Sequence, residues 1–230
     1  MGTRIDITAA DGGRFKGYLA EPSGTPRGGI VVIQEIFGVN AVMRTIADNL
    51  AAQGYLALAP DLFWRIEPGI DITDQTDAEW QKAFSLYNAF DVDAGVNDIQ
   101  ATLTALGGRG TTKAGAVGYC LGGLLAYLTA ARTDADCSVS YYGVGIEGRL
   151  DEAAAIRKPL MLHIAEKDAF VPAAAQEQIV SGLKSHPQVT IHTYPGQDHA
   201  FARTGGKHYD ATAANLEDGR TSAFFREFIG

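Results

Sequence analysis

Only two cysteines, Cys120 and Cys137, occur in the 230 residues. Two cysteines make no disulfide framework, so a reducing, cytoplasmic setting is expected. No stretch approaches the roughly 20 apolar residues of a membrane span. The opening residues, Met1-Gly2-Thr3-Arg4-Ile5, lack an apolar h-region, so no secretory signal is expected. Basic residues are in the minority: 19 Lys and Arg stand against 27 Asp and Glu, a net charge of −8. That balance argues against nucleic acid as a partner. No His or Cys spacing suits a metal, and neither a metal nor a cofactor is expected. Repeats and linkers are missing too. With 46% hydrophobic and 20% charged residues, the chain reads as one α/β domain over residues 1–230, expected to act as a monomer.

What is present is alternation. Ile5 to Thr8 and Phe15 to Ala20 alternate apolar and polar around Asp11-Gly12-Gly13, the pattern of an edge hairpin. Gly29 to Ile33 is continuously apolar, as a strand buried on both faces must be. Further strands are expected at Tyr55–Ala59, Ala114–Val117, Cys137–Tyr141, Pro159–Ile164 and Val189–Tyr194. Between them, Val42–Gln53, Asp77–Phe90, Asp91–Leu106, Leu124–Ala131, Ala173–Lys184 and most of His208–Ile229 read as helices. Leu62 to Thr76 has little periodicity and reads as a long loop, a common place for function. Strands alternating with amphipathic helices call for a mainly parallel sheet wrapped on both faces. In such sheets functional groups gather at the carboxyl ends of the strands.

Gly118-Tyr119-Cys120-Leu121-Gly122 sits between an apolar strand and a helix-forming run. Gly-x-Cys-x-Gly in that setting has the form of a nucleophile elbow. A side chain at such a turn is held in a strained conformation, and only small neighbours let strand and helix approach so closely. The helix N-terminus favours negative charge there. The plain alternative is a buried cysteine before an ordinary helix. Two further strand ends decide between them. Asp168 follows the strand ending at Ile164, and His199 follows the one ending at Tyr194. Nucleophile, acid and histidine in that order form a hydrolase triad, with Cys in place of Ser. A thiol becomes a good nucleophile when an imidazole takes its proton, and a carboxylate holds that imidazole in the useful tautomer. Against this, Asp168 could merely cap the helix at Ala173, His199 could be a loop residue, and Asp198 could be the acid. Adjacency places the Asp198 side chain badly for supporting the neighbouring ring. His163, inside a strand, reads as structural.

The chain resembles the dienelactone hydrolase (carboxymethylenebutenolidase) family over nearly its whole length. The matching stretches are Gln34-Glu35-Ile36-Phe37-Gly38, Ala59-Pro60-Asp61-Leu62, Gly118 to Gly123, Tyr141 to Gly145, Asp168-Ala169-Phe170-Val171-Pro172 and Asp198 to Arg203. The resemblance implies an α/β-hydrolase fold with about eight mainly parallel strands. It implies hydrolysis of a small lactone or ester, with 4-carboxymethylenebut-2-en-4-olide giving maleylacetate as the family reaction. It assigns Cys120, His199 and Asp168 as the triad and sets the Glu35 carboxylate against the resting thiol until substrate displaces it. It puts the oxyanion hole at the backbone N–H groups of Ile36 and Leu121. Arg203 is the arginine implied to hold a substrate carboxylate, and Phe37, Trp80, Phe84 and Tyr87 fall at pocket positions.

One departure bears on the substrate. Dienelactone-cleaving members carry a second arginine in the segment matching Asp77 to Phe90, and here Trp80 stands in its place. A carboxylesterase of broader range on the same triad is the alternative. A non-catalytic thiol protein is a third reading, and the presence of Asp168 and His199 argues against it.

Overall fold

A computed structural model describes residues 2–230. Its eight strands form one sheet in the order β1-β2-β4-β3-β5-β6-β7-β8. The hairpin β1 (Thr3–Thr8) and β2 (Arg14–Ala20) is antiparallel, and β2 joins β4 (Leu56–Pro60) antiparallel as well. From β4 onward every pairing is parallel, through β3 (Gly29–Ile33), β5 (Ala114–Tyr119), β6 (Cys137–Tyr141), β7 (Leu160–Ala165) and β8 (Val189–Tyr194). All residues of β3, β4, β6 and β7 are buried, which explains the unbroken apolar character of β3 and β4, while β6 and β7 bury Ser138, Ser140 and His163 among apolar residues. Strand β8 at the edge is only partly covered and alternates Thr and His with apolar residues.

Helices cover both faces: α1 (Ala41–Ala52), α2 (Asp77–Ala89), α3 (Val92–Gly107), α4 (Leu121–Arg132), α5 (Ala173–Leu183) and α6 (Ala211–Phe228). Their starts follow local chemistry. Asn40, Asp91 and Asp210 each accept a backbone N–H of the first turn, the expected N-cap role. Helix α4 is the most deeply buried, with ten successive residues, Leu121 to Ala130, out of solvent. It begins immediately after Cys120, three residues earlier than its apolar pattern suggested, because Gly122 and Gly123 belong to its first turn. A 3-10 segment, Ile146–Ala155, follows β6 and had no periodicity to announce it. Among the described residues, no helix is long and apolar enough to cross a membrane.

His163 is a satisfied interior residue, as its place in β7 suggested. Its ring nitrogens meet Tyr194 Oη at 2.7 Å and Thr221 Oγ1 at 3.0 Å. Burial holds its pKa well below the usual histidine value, so it stays neutral. Glu217 was hidden from sequence reasoning. It is fully buried on α6, and neither carboxylate oxygen has a hydrogen-bond partner. Burial, then the nearby Asp218 charge, pushes its pKa up to about 10.

Candidate active site

The turn between β5 and α4 sets the position of Cys120. Its backbone is left-handed, φ 57° and ψ −114°, a region costly for any residue with a Cβ. The flanking residues must be small for a steric reason. A Cβ on Gly118 would sit 1.9 Å from the Gly122 carbonyl oxygen, and one on Gly122 would sit 2.5 Å from that of Ile33. The turn is tied down by Cys120 N–H, which donates to the Tyr141 carbonyl at 3.0 Å, and by Gly123 N–H, which donates back to Cys120 at 2.9 Å. The side chain therefore stands at the carboxyl end of the central strand. Leu121 is the first residue of α4, so its N–H is among the donors a helix leaves free.

The two other strand-end residues converge there. Asp168, on the loop after β7, accepts from His199 Nδ1 through Oδ2 at 2.7 Å. Its Oδ1 accepts from the backbone of Phe170 and Val171, at 2.8 and 3.1 Å, so the carboxylate is clamped by its own loop. Asp168 is not the cap of α5, whose N-cap is Pro172. Asp198 accepts the backbone N–H of His199 at 2.6 Å and faces His208, so it does not serve the ring. With Nδ1 taken, Nε2 is the ring nitrogen left for Cys120. Burial opposes charge on His199, but the Cys120 sulfur charge and the Asp168 hydrogen bond outweigh it and push the pKa up to about 10. Phe170 and Tyr142 pack edge-on to the imidazole, with ring centroids 4.8 and 5.0 Å away.

Glu35 and Ile36 lie on the loop after β3. Gln34 fixes that loop: its amide accepts Leu62 N–H at 3.0 Å and donates to the Glu35 carbonyl at 3.3 Å. Glu35 is buried, and its Oε2 makes no hydrogen bond. This oxygen lies 3.4 Å from Arg203 Nη1, and the carboxylate shares its pocket with Cys120. Burial raises the Glu35 pKa, with Arg203 working against that rise.

One pocket brings Cys120, His199, Glu35, Ile36 and Arg203 together with Phe37, Trp80, Phe84 and Tyr87. The helix α2 supplies the last three at helical spacing, and Trp80 packs on Phe37 at 5.1 Å and on Phe84 at 5.5 Å. Phe90 does not take part; it packs on Phe63 beside Gly95, in the core. Val144 and Phe170 also line the pocket and were not singled out from sequence. Both lie inside stretches that carried the family resemblance, which was the available signal. The Arg203 side chain is only 10% exposed. It lies over the Phe37 ring at 5.2 Å and pairs with both Glu35 and Asp74.

Residues 15–229 match the dienelactone hydrolase family. A relative from Azospirillum brasilense, provisionally named a carboxymethylenebutenolidase, is 52% identical over 99% of this chain and 100% of its own. The carboxymethylenebutenolidase of Pseudomonas putida is 40% identical, covering 96% of this chain and 94% of its own. In structure, a provisionally named dienelactone hydrolase from Klebsiella pneumoniae superposes with a TM-score of 0.87 over 99% of both chains, at 24% identity, which speaks for the fold alone. The chain belongs to the dienelactone hydrolase family.

Proposed function

We propose that the protein hydrolyses small lactones or esters through a covalent thioester on Cys120, with His199 and Asp168 completing the triad. The observation that carries the reading is the 2.7 Å bond from His199 Nδ1 to Asp168 Oδ2, beside a cysteine held on a strained elbow in the same pocket. Cys120 Sγ, its proton passed to His199, attacks the substrate carbonyl carbon. The negative oxygen that forms is met by backbone N–H groups of Leu121 and Ile36; one such donor is typically worth ~3 kcal/mol in the transition state. As the acyl C–O bond breaks, His199 returns the proton to the leaving oxygen. Water then attacks the thioester, giving its proton to His199, and the C–S bond breaks as the thiol is restored. For 4-carboxymethylenebut-2-en-4-olide, the substrate that the family resemblance implies, the leaving oxygen is that of an enol, which takes the proton from His199. The product is maleylacetate in its enol form, which tautomerises to the ketone. A small lactone or ester is thus the substrate class, acted on by a single chain in the cytoplasm without a cofactor.

A wider range of esters is favoured by one observation. Trp80, Phe84 and Tyr87 form an apolar wall where an arginine would otherwise narrow the choice to acids. Turnover of a p-nitrophenyl ester by wild type and by Cys120→Ala tests the mechanism. The variant is expected to lose at least ~10³-fold in kcat, as members of a coupled triad do. Near-wild-type turnover by a folded Cys120→Ala protein would remove Cys120 from the reaction.

A further inference from the structure

Arg203 brings a guanidinium to the pocket, and it already has two carboxylates. Glu35 Oε2 lies 3.4 Å from Nη1, and Asp74 Oδ2 lies 3.3 Å from Nη2. The Nε–H of the guanidinium is buried without a partner. A guanidinium presents two paired N–H edges to a carboxylate, and here both terminal nitrogens face one. A substrate carboxylate must therefore compete with a residue of the protein.

The two residents are unequal. Glu35 sits in the interior, its side chain 3% exposed, at the root of the loop pinned by Gln34. Moving it costs burial with nowhere polar to go. Asp74 is on the long loop ahead of α2, its side chain 12% exposed, and its second oxygen already accepts from exposed Gln75 at 2.6 Å. Water can take over its solvation when it lets go. The backbone around it is held in place independently of Arg203. Trp80 Nε1 donates to the Asp74 carbonyl at 3.0 Å. Glu79 accepts from Thr73 N–H and Oγ1 at 2.8 Å each, and from Thr76 Oγ1 at 2.8 Å. Thr76 in turn caps α2 by accepting Glu79 N–H at 3.2 Å. The capped start of α2 thus presents Asp74 to the arginine at a fixed place, and Trp80, in place of a second arginine, is one of the groups that holds it there.

We propose that Asp74 is a specificity-determining residue. Its carboxylate occupies the Arg203 edge that an anionic substrate would take, and so it biases the enzyme toward uncharged lactones and esters. An anionic substrate enters by exchanging with Asp74 and leaves the Glu35–Arg203 pair in place. The inference rests on the ester-hydrolase reading of the same pocket. Asp74 acts through Arg203 and touches no reacting atom, so its effect is on the choice of substrate.

The test uses a matched pair, a lactone or ester bearing a free carboxylate and its methyl ester, with kcat and KM measured on each. Asp74→Asn keeps the shape and the Gln75 contact while removing the charge. It is expected to raise the acid-to-methyl-ester ratio of kcat/KM about tenfold, mainly through a lower KM for the acid. In an Arg203→Gln background the same substitution is expected to leave the ratio within twofold, because the gain passes through the guanidinium. Asp74→Ala, lacking the amide, is a second route to the same rise. A ratio unmoved within twofold in both Asp74→Asn and Asp74→Ala overturns the proposal, as does an equal rise in the Arg203→Gln background. If neither member of the pair is turned over, or turnover persists in Cys120→Ala, the hydrolase reading has failed instead, a result distinct from an unmoved ratio.

Discussion

Replacing Cys120 with alanine and with glycine separates chemistry from backbone strain. Both substitutions remove the sulfur, so the lost side-chain contacts are nearly the same. They differ in whether a Cβ remains at φ 57°. At an ordinary buried position glycine is less stable than alanine by ~0.5–1 kcal/mol, through its greater unfolded-state freedom. A residue with a Cβ in this region costs about 1–3 kcal/mol. Taking ~2 kcal/mol for the strain and subtracting ~1 for glycine's entropy, Cys120→Gly should exceed Cys120→Ala in stability by about 1 kcal/mol. For a chain of this length that is about 2–4 °C in the unfolding midpoint. The assay is paired thermal and urea unfolding of the two inactive proteins under identical conditions. If Cys120→Ala is as stable as Cys120→Gly, or more so, the backbone at Cys120 stores no strain.

Two further outcomes follow from packing and charge. Gly122→Ala in an unobstructed helix would stabilise by ~1 kcal/mol; here its Cβ would lie 2.5 Å from the Ile33 carbonyl oxygen and 2.6 Å from that of Gln34, so a loss of several kcal/mol or failure to fold is expected in denaturant unfolding. Glu217 keeps its proton when folded up to about pH 10 but loses it near 4.5 when unfolded. Its stabilising contribution is complete below pH 4.5 and is lost as pH rises toward 10, at up to ~1.4 kcal/mol per pH unit. Glu217→Gln should remove that slope, and stability profiles of equal slope between pH 5 and 8 would show that the folded Glu217 is ionised.

The parts of this protein that the sequence revealed are those dictated by near neighbours. Val31 sits in an unbroken apolar run, Gly29 to Ile33, because a parallel strand is buried on both faces. Gly118 and Gly122 announced the elbow because contact between strand and helix excludes a Cβ. Cys120, Asp168 and His199 were readable together because each follows a strand, and parallel strands bring their carboxyl ends side by side. What escaped depends on residues distant in the chain. The pairing of Asp74 with Arg203 spans two loops that no periodicity connects, and it turned an apparently free cation into a compensated one. Glu217 has the sequence signature of a solvated helix face, and only the packing of α6 shows it buried. Phe170 looked like part of a loop motif, and its contact with His199 depends on how the β7 and β8 loops meet.

The strand order has a consequence for how the protein comes into being. His199 follows Cys120 by 79 residues, and it lies beyond β8, the last strand to be made and the edge of the sheet. At ribosomal rates of 5–20 residues per second, the cysteine precedes its histidine by roughly 4–16 s. During that interval the nascent chain carries Cys120 without the imidazole that completes its triad, although Glu35 is already made and Asp168 is made 31 residues ahead of the histidine. The pocket closes around the sulfur only when β8 docks on β7, so a chain halted short of that strand can have most of its sheet and still lack the histidine that faces its cysteine.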